Sequence, residues 1–237
     1  MSKIIAIIPA RSGSKSIKDK NLQVVSDKNL IEWAVKICEE SKLISEFYIS
    51  TDSLRYKVIL ENLGFKMPYQ RPKKFAKDTS SDYEMILDFL LWYKKNKNIL
   101  PDYLVHLRPT TPLRSVKIVD KAIKALQKSK KKTSLRSVHK MSETSYKTFE
   151  INKKGQLCSV FEKNPNIDGS NNSRQSYPQT YAANGYVDIL LPKELIKNNY
   201  LHGDNCMPFL TPYTLEVDSH FELNMIKLLV ESNKNKL

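Results

Sequence analysis

The chain has 237 residues, 41% of them hydrophobic, which is enough for one sizeable domain with a buried core and too apolar for global disorder. A net charge of +14 admits nucleic acid, an anionic surface or small anionic substrates, and alone chooses none of them. Cys38, Cys158 and Cys206 are odd in number and far apart, and His106, His139, His202 and His220 meet them at no zinc-finger spacing, so a disulfide framework and a structural zinc site are excluded. No apolar run is long enough to cross a bilayer, and the flanks of the first apolar stretch do not read as a secretion signal, so the cytoplasm is the expected compartment.

In chain order, Lys3–Ile8 is an apolar run stopped by Pro9 and reads as a buried central strand. Leu30–Lys42 carries apolar residues near a 3.6 period and is expected to be helical. Phe47–Thr51 is a second strand, after which Asp52 or Ser53 caps the next helix. Ser80 or Ser81 opens another helix that takes in Met85, Phe89 and Trp92. Tyr103–Leu107 is a strand closed by Pro109 and Pro112, Ser115–Lys128 a helix, and Ser134–Val138 a strand. The run Lys128-Ser129-Lys130-Lys131-Lys132 is expected to be a solvated turn.

From about 139 to 172 the periodicity weakens, with strand-like Thr148–Ile151 and Leu157–Phe161 followed by an Asn- and Ser-rich stretch. This segment reads as a small inserted lobe suited to contacting a partner subunit. A strand at Tyr186–Leu191, a helix around Pro192–Asn198, a strand at Tyr213–Val217 and a closing helix at Phe221–Val230 complete the chain. The βαβα succession predicts a single α/β domain over 1–237, with a mostly parallel sheet flanked by helices and a ligand site beyond the carboxyl ends of its strands.

Six glycines form neither GxGxxG nor a Walker loop, and GxSxG and HExxH are absent, which removes the dinucleotide, P-loop, hydrolase-elbow and zincin chemistries. Directly after the first strand the chain reads Pro9-Ala10-Arg11-Ser12-Gly13-Ser14-Lys15-Ser16-Ile17-Lys18-Asp19-Lys20-Asn21-Leu22. Small residues let backbone N–H groups approach an anion, Arg11, Lys15 and Lys20 add fixed charge, and Ser14 adds a hydroxyl donor. Such a loop can wrap a triphosphate and stabilise charge developing at its α-phosphorus. Further on, if Tyr213–Val217 is a strand, Glu216 and Asp218 point to one side and can converge on a hard cation.

The loop resembles the signature of the acylneuraminate cytidylyltransferases, the CMP-sialic acid and CMP-nonulosonic acid synthetases, with the CMP-KDO synthetases as more distant relatives. Further matches are Ser50-Thr51-Asp52-Ser53, Arg71-Pro72, Ala76-Lys77-Asp78-Thr79-Ser80-Ser81, Arg108-Pro109-Thr110-Thr111-Pro112-Leu113-Arg114, Arg174-Gln175 and Asn184-Gly185, spread over nearly the whole chain. The resemblance implies a Rossmann-like nucleotidyltransferase fold that uses CTP and a 2-keto-3-deoxy sugar acid, with Mg²⁺ or Mn²⁺, and neither nucleic acid nor membrane as partner. It implies that Ala10, Arg11, Ser14, Lys15, Lys20, Asn21, Arg71, Thr79, Ser80 and Ser81 bind the nucleotide. It places Arg108, Lys147, Arg174, Asn184 and Asp188 on the sugar and Glu216 and Asp218 on the metal, with Arg11, Lys15, Lys20 and Asp218 central to catalysis. It also implies a homodimer in which the inserted lobe reaches the other subunit's site.

The match departs from the family on the acceptor side. Arg108 stands where Gln is common, Asp188 where a Tyr often follows Asn-Gly, Leu201-His202 where some relatives have an aromatic pair, and Glu216 in a usual Asp-x-Asp. Arg108 and Asp188 are therefore expected to pair. The expected reaction is attack of the anomeric hydroxyl on the α-phosphorus of CTP, releasing pyrophosphate. Its rivals are a nucleotidyltransferase acting on KDO or a sugar 1-phosphate, a basic nucleic-acid-binding module, and a homologue that has lost catalysis. The cations lack the aromatic interleaving that a nucleic-acid surface needs.

Overall fold

A computed structural model describes residues 2–129, 131–161 and 167–234. Lys130 of the lysine run and residues 162–166 of the expected lobe lie outside the described residues. The chain opens with β1 (Ile4–Pro9), whose isoleucines alternate between two apolar layers and are buried on both sides. A short pair, β2 (Val24–Val25) and β3 (Lys28–Asn29), leads into α1 (Leu30–Glu40). Asn29 and Glu32 close a capping box at the start of that helix. Next come β4 (Glu46–Ser50), α2 (Leu54–Asn62) and α3 (Asp82–Lys97). Ser53 caps α2, and Ser81 caps α3 in a box with Glu84, which decides both open choices of N-cap.

The second half contains β5 (Tyr103–His106), α4 (Val116–Lys128), β6 (Ser134–Lys140), β7 (Phe149–Ile151) and β8 (Leu157–Ser159). It ends with β9 (Tyr181–Leu190), α5 (Pro192–Asn198), β10 (Cys206–Leu210) and α6 (His220–Lys234). Six strands form one sheet in the order β10-β6-β9-β5-β1-β4. Every ladder in it is parallel except the two made by β9, so the sheet is mostly parallel as expected.

One face of β1 packs with α1 and α4 and the other with α3 and α5. The α3 face is aromatic: Phe89 lies 5.2 Å from both Tyr48 and Tyr69, with Trp92 and Tyr93 alongside. A third apolar cluster joins Ile17 in the basic loop to Val25, Leu30, Val217 and Ile226, so α6 braces that loop from behind.

Two expectations are corrected. Tyr213–Val217 is not a strand; the edge strand is Cys206–Leu210, where Pro208 is tolerated because an edge leaves one side of the ladder open. The apolar alternation at 215–217 serves packing instead, with Leu215 and Val217 on the third cluster. The chain also leaves the sheet later than the 139–172 reading placed it. Lys140 still pairs with Tyr181, so residues 141–180 form one excursion from a β6–β9 hairpin. Its described part holds the β7–β8 hairpin and a stack of Tyr146 on Phe161 and Tyr177, with ring centroids 4.8 and 5.6 Å apart.

Candidate active site

The basic loop begins where β1 runs out, at the carboxyl edge of the sheet. Ala10 is fully buried, and its N–H donates to the Ser50 carbonyl at 2.8 Å, so it holds the loop to β4. Asp52 accepts from the Ser12 N–H at 2.9 Å and the Ser12 hydroxyl at 3.0 Å, and the Asn21 amide donates to the Arg11 carbonyl at 3.0 Å. Asp19 adopts a left-handed backbone (φ 51°), which places its carboxylate on Arg55 and on the Tyr56 hydroxyl. With Ile17 buried as well, the loop is fastened on both sides of its exposed 13–16 stretch. Its polar atoms face a cavity of about 490 Å³ lined by Arg11, Ser14, Lys15, Lys20 and Asn21.

The loop's cations have exposed partners. Arg11 Nη1 and Lys15 Nζ share the Asp78 carboxylate at 2.8 and 2.6 Å, and Lys20 Nζ lies 3.2 Å from Asp218. Hydrogen bonds from Lys15 and then Arg11 hold the Asp78 carboxyl below its usual range. Exposed pairs of this kind contribute little net stability, so an incoming polyanion can displace them.

Arg71, by contrast, is part of the wall. It is buried, and it donates to the Ser50 hydroxyl at 2.9 Å and to the Ser50 carbonyl at 2.6 Å. Burial lowers its pKa. Ser80 and Ser81 line the same cavity while Ser80 donates to the Lys74 carbonyl and Ser81 caps α3, so the capping and lining roles coincide.

On the β5 side the expected Arg108–Asp188 pair is present: Nη1 reaches Asp188 Oδ2 at 2.8 Å, and Nη2 reaches Asp82 Oδ2 at 2.8 Å. Burial works against the Arg108 charge, but Asp188 and Asp82 outweigh it and raise the pKa. His106, directly across the ladder from Asp188, is driven down to about 4 by complete burial and by Arg108. Arg114 is pushed down to about 9 by burial and by Arg108, and it donates to the carbonyls of Tyr186, Gly185 and Arg108, tying this corner together.

The remaining expected site residues do not line the cavity. Asn184 is buried, with its amide on Thr211 Oγ1 at 2.9 Å. The Gly185 N–H donates to Glu216 Oε1 at 2.7 Å, and a Cβ there would stand 2.5 Å from Thr111 Oγ1 and 2.7 Å from Glu216 Oε2, so any larger residue would displace both side chains. Glu216 is thereby turned towards Gly185 while Asp218 faces Lys20, and the strand alternation expected to align the two carboxylates is absent. Among the described residues, no group of three or more His, Cys, Asp or Glu is placed to hold a metal ion. Thr79 is exposed and does not line this cavity. Lys147 ends a short turn within the excursion, and Arg174 lines a separate cavity of about 390 Å³ beside Thr144 and Tyr177, with Nη2 on the Met141 carbonyl at 3.0 Å.

Four residues that matter have no site role in the sequence reading: Asp52 beneath Ser12, Asp78 between Arg11 and Lys15, Asp82 on Arg108, and Arg114 behind it. An acidic residue inside an otherwise basic segment, as Asp78 is between Lys77 and Thr79, is a signal that could have found one of them.

The mostly parallel six-stranded sheet, with a basic loop at its carboxyl edge, has the nucleotidyltransferase fold. The chain belongs to the cytidylyltransferase family, whose sequence profile matches residues 5–182. It is 25% identical over 241 residues to the CMP-N,N'-diacetyllegionaminic acid synthase of Legionella pneumophila, covering 99% of each chain. It is 27% identical over 239 residues to an N-acylneuraminate cytidylyltransferase of Escherichia coli, covering 99% of this chain and 54% of that longer protein. Among solved structures, a CMP:2-keto-3-deoxy-manno-octonic acid synthetase complexed with CTP superposes with a TM-score of 0.73 at 15% identity, covering 98% of this chain and 100% of that one, a likeness of fold.

Proposed function

We propose that this cytidylyltransferase joins CMP from CTP to the anomeric hydroxyl of a sialic-acid-like nonulosonic acid and releases pyrophosphate. The observation that carries the reading is the fastened basic loop, which presents Arg11, Lys15 and Lys20 to one cavity beside the buried Arg71. In this reading the triphosphate replaces Asp78 on Arg11 and Lys15 and draws Lys20 from Asp218. The three cations then lie against the phosphates, where they neutralise charge developing at the α-phosphorus and on the departing pyrophosphate. Arg71 and the Ser80–Ser81 corner fix the nucleotide's position, and the β5 side of the cavity is left to the acceptor.

Asp218 and Glu216 would supply hard oxygen donors suited to Mg²⁺ or Mn²⁺. Asp218 is largely exposed and Glu216 keeps one oxygen that Gly185 does not use, so each has a donor oxygen available, and a shared ion would require the two side chains to turn towards each other. When bound, the cation would act as a Lewis acid towards the phosphate oxygens. The 141–180 excursion is assigned to a partner subunit in a homodimer, with Lys147 and Arg174 bringing positive charge to the acceptor carboxylate of the opposite site.

The test is pyrophosphate release from CTP and Mg²⁺ with N-acetylneuraminate, legionaminate, pseudaminate, KDN and KDO as acceptors. Release with a nonulosonic acid, absent with ATP, GTP or UTP, supports the reading. Release with KDO alone moves the enzyme to the KDO branch, and a folded protein that binds no CTP overturns the assignment.

A further inference from the structure

Behind the β5 wall of the cavity, Asp188 anchors a buried polar cluster that extends to the outer edge of the sheet. Its Oδ2 accepts from Arg108 at 2.8 Å and lies 3.9 Å from His202 Nε2. The other nitrogen of that ring, Nδ1, is 3.8 Å from Cys206 Sγ, a long hydrogen bond to sulfur. Asp188, His202 and Cys206 therefore stand in series, the imidazole bridging a fully buried carboxylate and a thiol on the first residue of edge strand β10. Neither Cys206 nor His202 lines the main cavity.

The turn that carries this row is fastened to the start of β6. Thr133 Oγ1 and Ser134 Oγ donate to the His202 carbonyl at 2.9 and 2.8 Å, and Lys132 Nζ donates to Asn205 Oδ1 at 2.7 Å. Gly203 has a φ of 69°, and a Cβ there would stand 2.5 Å from the Tyr200 ring, so the turn closes over its own aromatic residue. The direction of the His202 ring is thus set by the fold.

Nε2 faces a carboxylate and is the nitrogen that carries the ring proton, which leaves Nδ1 free to accept from the thiol. Burial favours the neutral ring, and Asp188 pulls the other way, towards the protonated one. The imidazole is therefore a base at rest, with a carboxylate behind it once it has taken a proton. Cys206 is partly exposed, whereas Cys38 and Cys158 are buried, and burial pushes the Cys38 thiol up to about 12. Positive charge flanks Cys206: Lys132 is bound to the preceding Asn205, and Arg136 lies across the ladder from Pro208.

We propose that Cys206 is a modification site, a thiol activated by His202 and backed by Asp188 that exchanges with small anionic disulfides. Sγ attacks one sulfur of the reagent while its proton passes to His202 Nδ1; the reagent's S–S bond breaks, and the departing thiolate takes that proton. Cys206 is oxidised to a mixed disulfide, the other half of the reagent is reduced to a thiol, and added thiol reverses the exchange.

The test treats the full chain at neutral pH with glutathione disulfide and follows adducts by mass spectrometry. One adduct is expected, at Cys206, forming about tenfold or more faster than at Cys38 or Cys158, and His202→Gln should slow it about tenfold. Added salt should slow glutathione disulfide, an anion, more than uncharged hydroxyethyl disulfide. A wild-type measurement keeps the test open if His202→Gln fails to fold: iodoacetamide should alkylate Cys206 about tenfold faster in the folded chain than in urea-unfolded protein at the same pH. No adduct at Cys206, equal rates at the three cysteines, an unchanged rate in folded His202→Gln, one salt response for both disulfides, or a folded thiol no faster than the unfolded one overturns the proposal.

Discussion

The two sides of the cavity hold positive charge in opposite ways. Arg11 and Lys15 meet Asp78 at the surface, where the Lys15 side chain is 83% exposed. Arg108 meets Asp82 and an Asp188 side chain that is 0% exposed. Water screens the first set, so those cations can be handed to a polyanion at little cost. Asp82, its side chain 41% exposed, is screened as Asp78 is, but the Arg108–Asp188 pair sits where separating charges is expensive, so it holds the guanidinium in place instead of supplying free charge. A list of basic residues would treat Arg11 and Arg108 alike; their partners separate screened charge from buried charge.

The sharpest way to break this contrast is to remove charge from the exposed side. Arg11→Ala is expected to lower turnover roughly a hundredfold or more, measured as pyrophosphate release, with little change in the melting temperature. Asp218→Ala should lower turnover to a similar degree, roughly a hundredfold, if it holds the cation. Near-normal turnover in either variant rejects that residue's role.

The buried side should respond in stability. Asp188→Asn leaves Arg108 with one carboxylate and is expected to cost roughly 3 kcal/mol in urea unfolding, near the lower end for breaking a buried pair. An unchanged midpoint would mean that water already reaches the cluster.

His106 gives a pH signature from the same place. Its pKa falls to about 4 in the fold, so between there and the unfolded value near 6.5 the unfolded chain binds the extra proton. Stability should therefore drop as the pH falls through that window, by at most about 3 kcal/mol, and His106→Gln should flatten the drop. The smallest effect is expected at Asp78, where Asp78→Asn frees Arg11 and Lys15 and should lower the CTP KM by about two- to threefold. A higher KM would show that Asp78 helps to shape the loop.

Much of the molecule is legible in the sequence because it is local. The buried run at Ile4–Ile8, the caps at Ser53 and Ser81 and the cations after Pro9 are each specified within a few residues. The Arg108–Asp188 pair is legible too, from two departures from the family pattern taken together. The rest depends on partners distant in the chain. Asp78 lies 67 positions from Arg11, and Asp82 lies 26 from Arg108. The strand expected at Tyr213–Val217 fails because alternation reports burial and not pairing, and Val217 is buried by α6. Lys147 and Arg174 lie on the excursion, outside the residues that line the main cavity, so their proposed roles depend on a second subunit.

That excursion departs after Lys140 and returns at Tyr181, two residues that face each other across one ladder. Its ends are therefore held together by the sheet, whatever lies between them. Lengthening such a loop costs little, about 0.6 kcal/mol for each doubling, so insertions or deletions there need not disturb the carboxyl edge. Changes of length in the segment are thereby uncoupled from the geometry of the carboxyl edge.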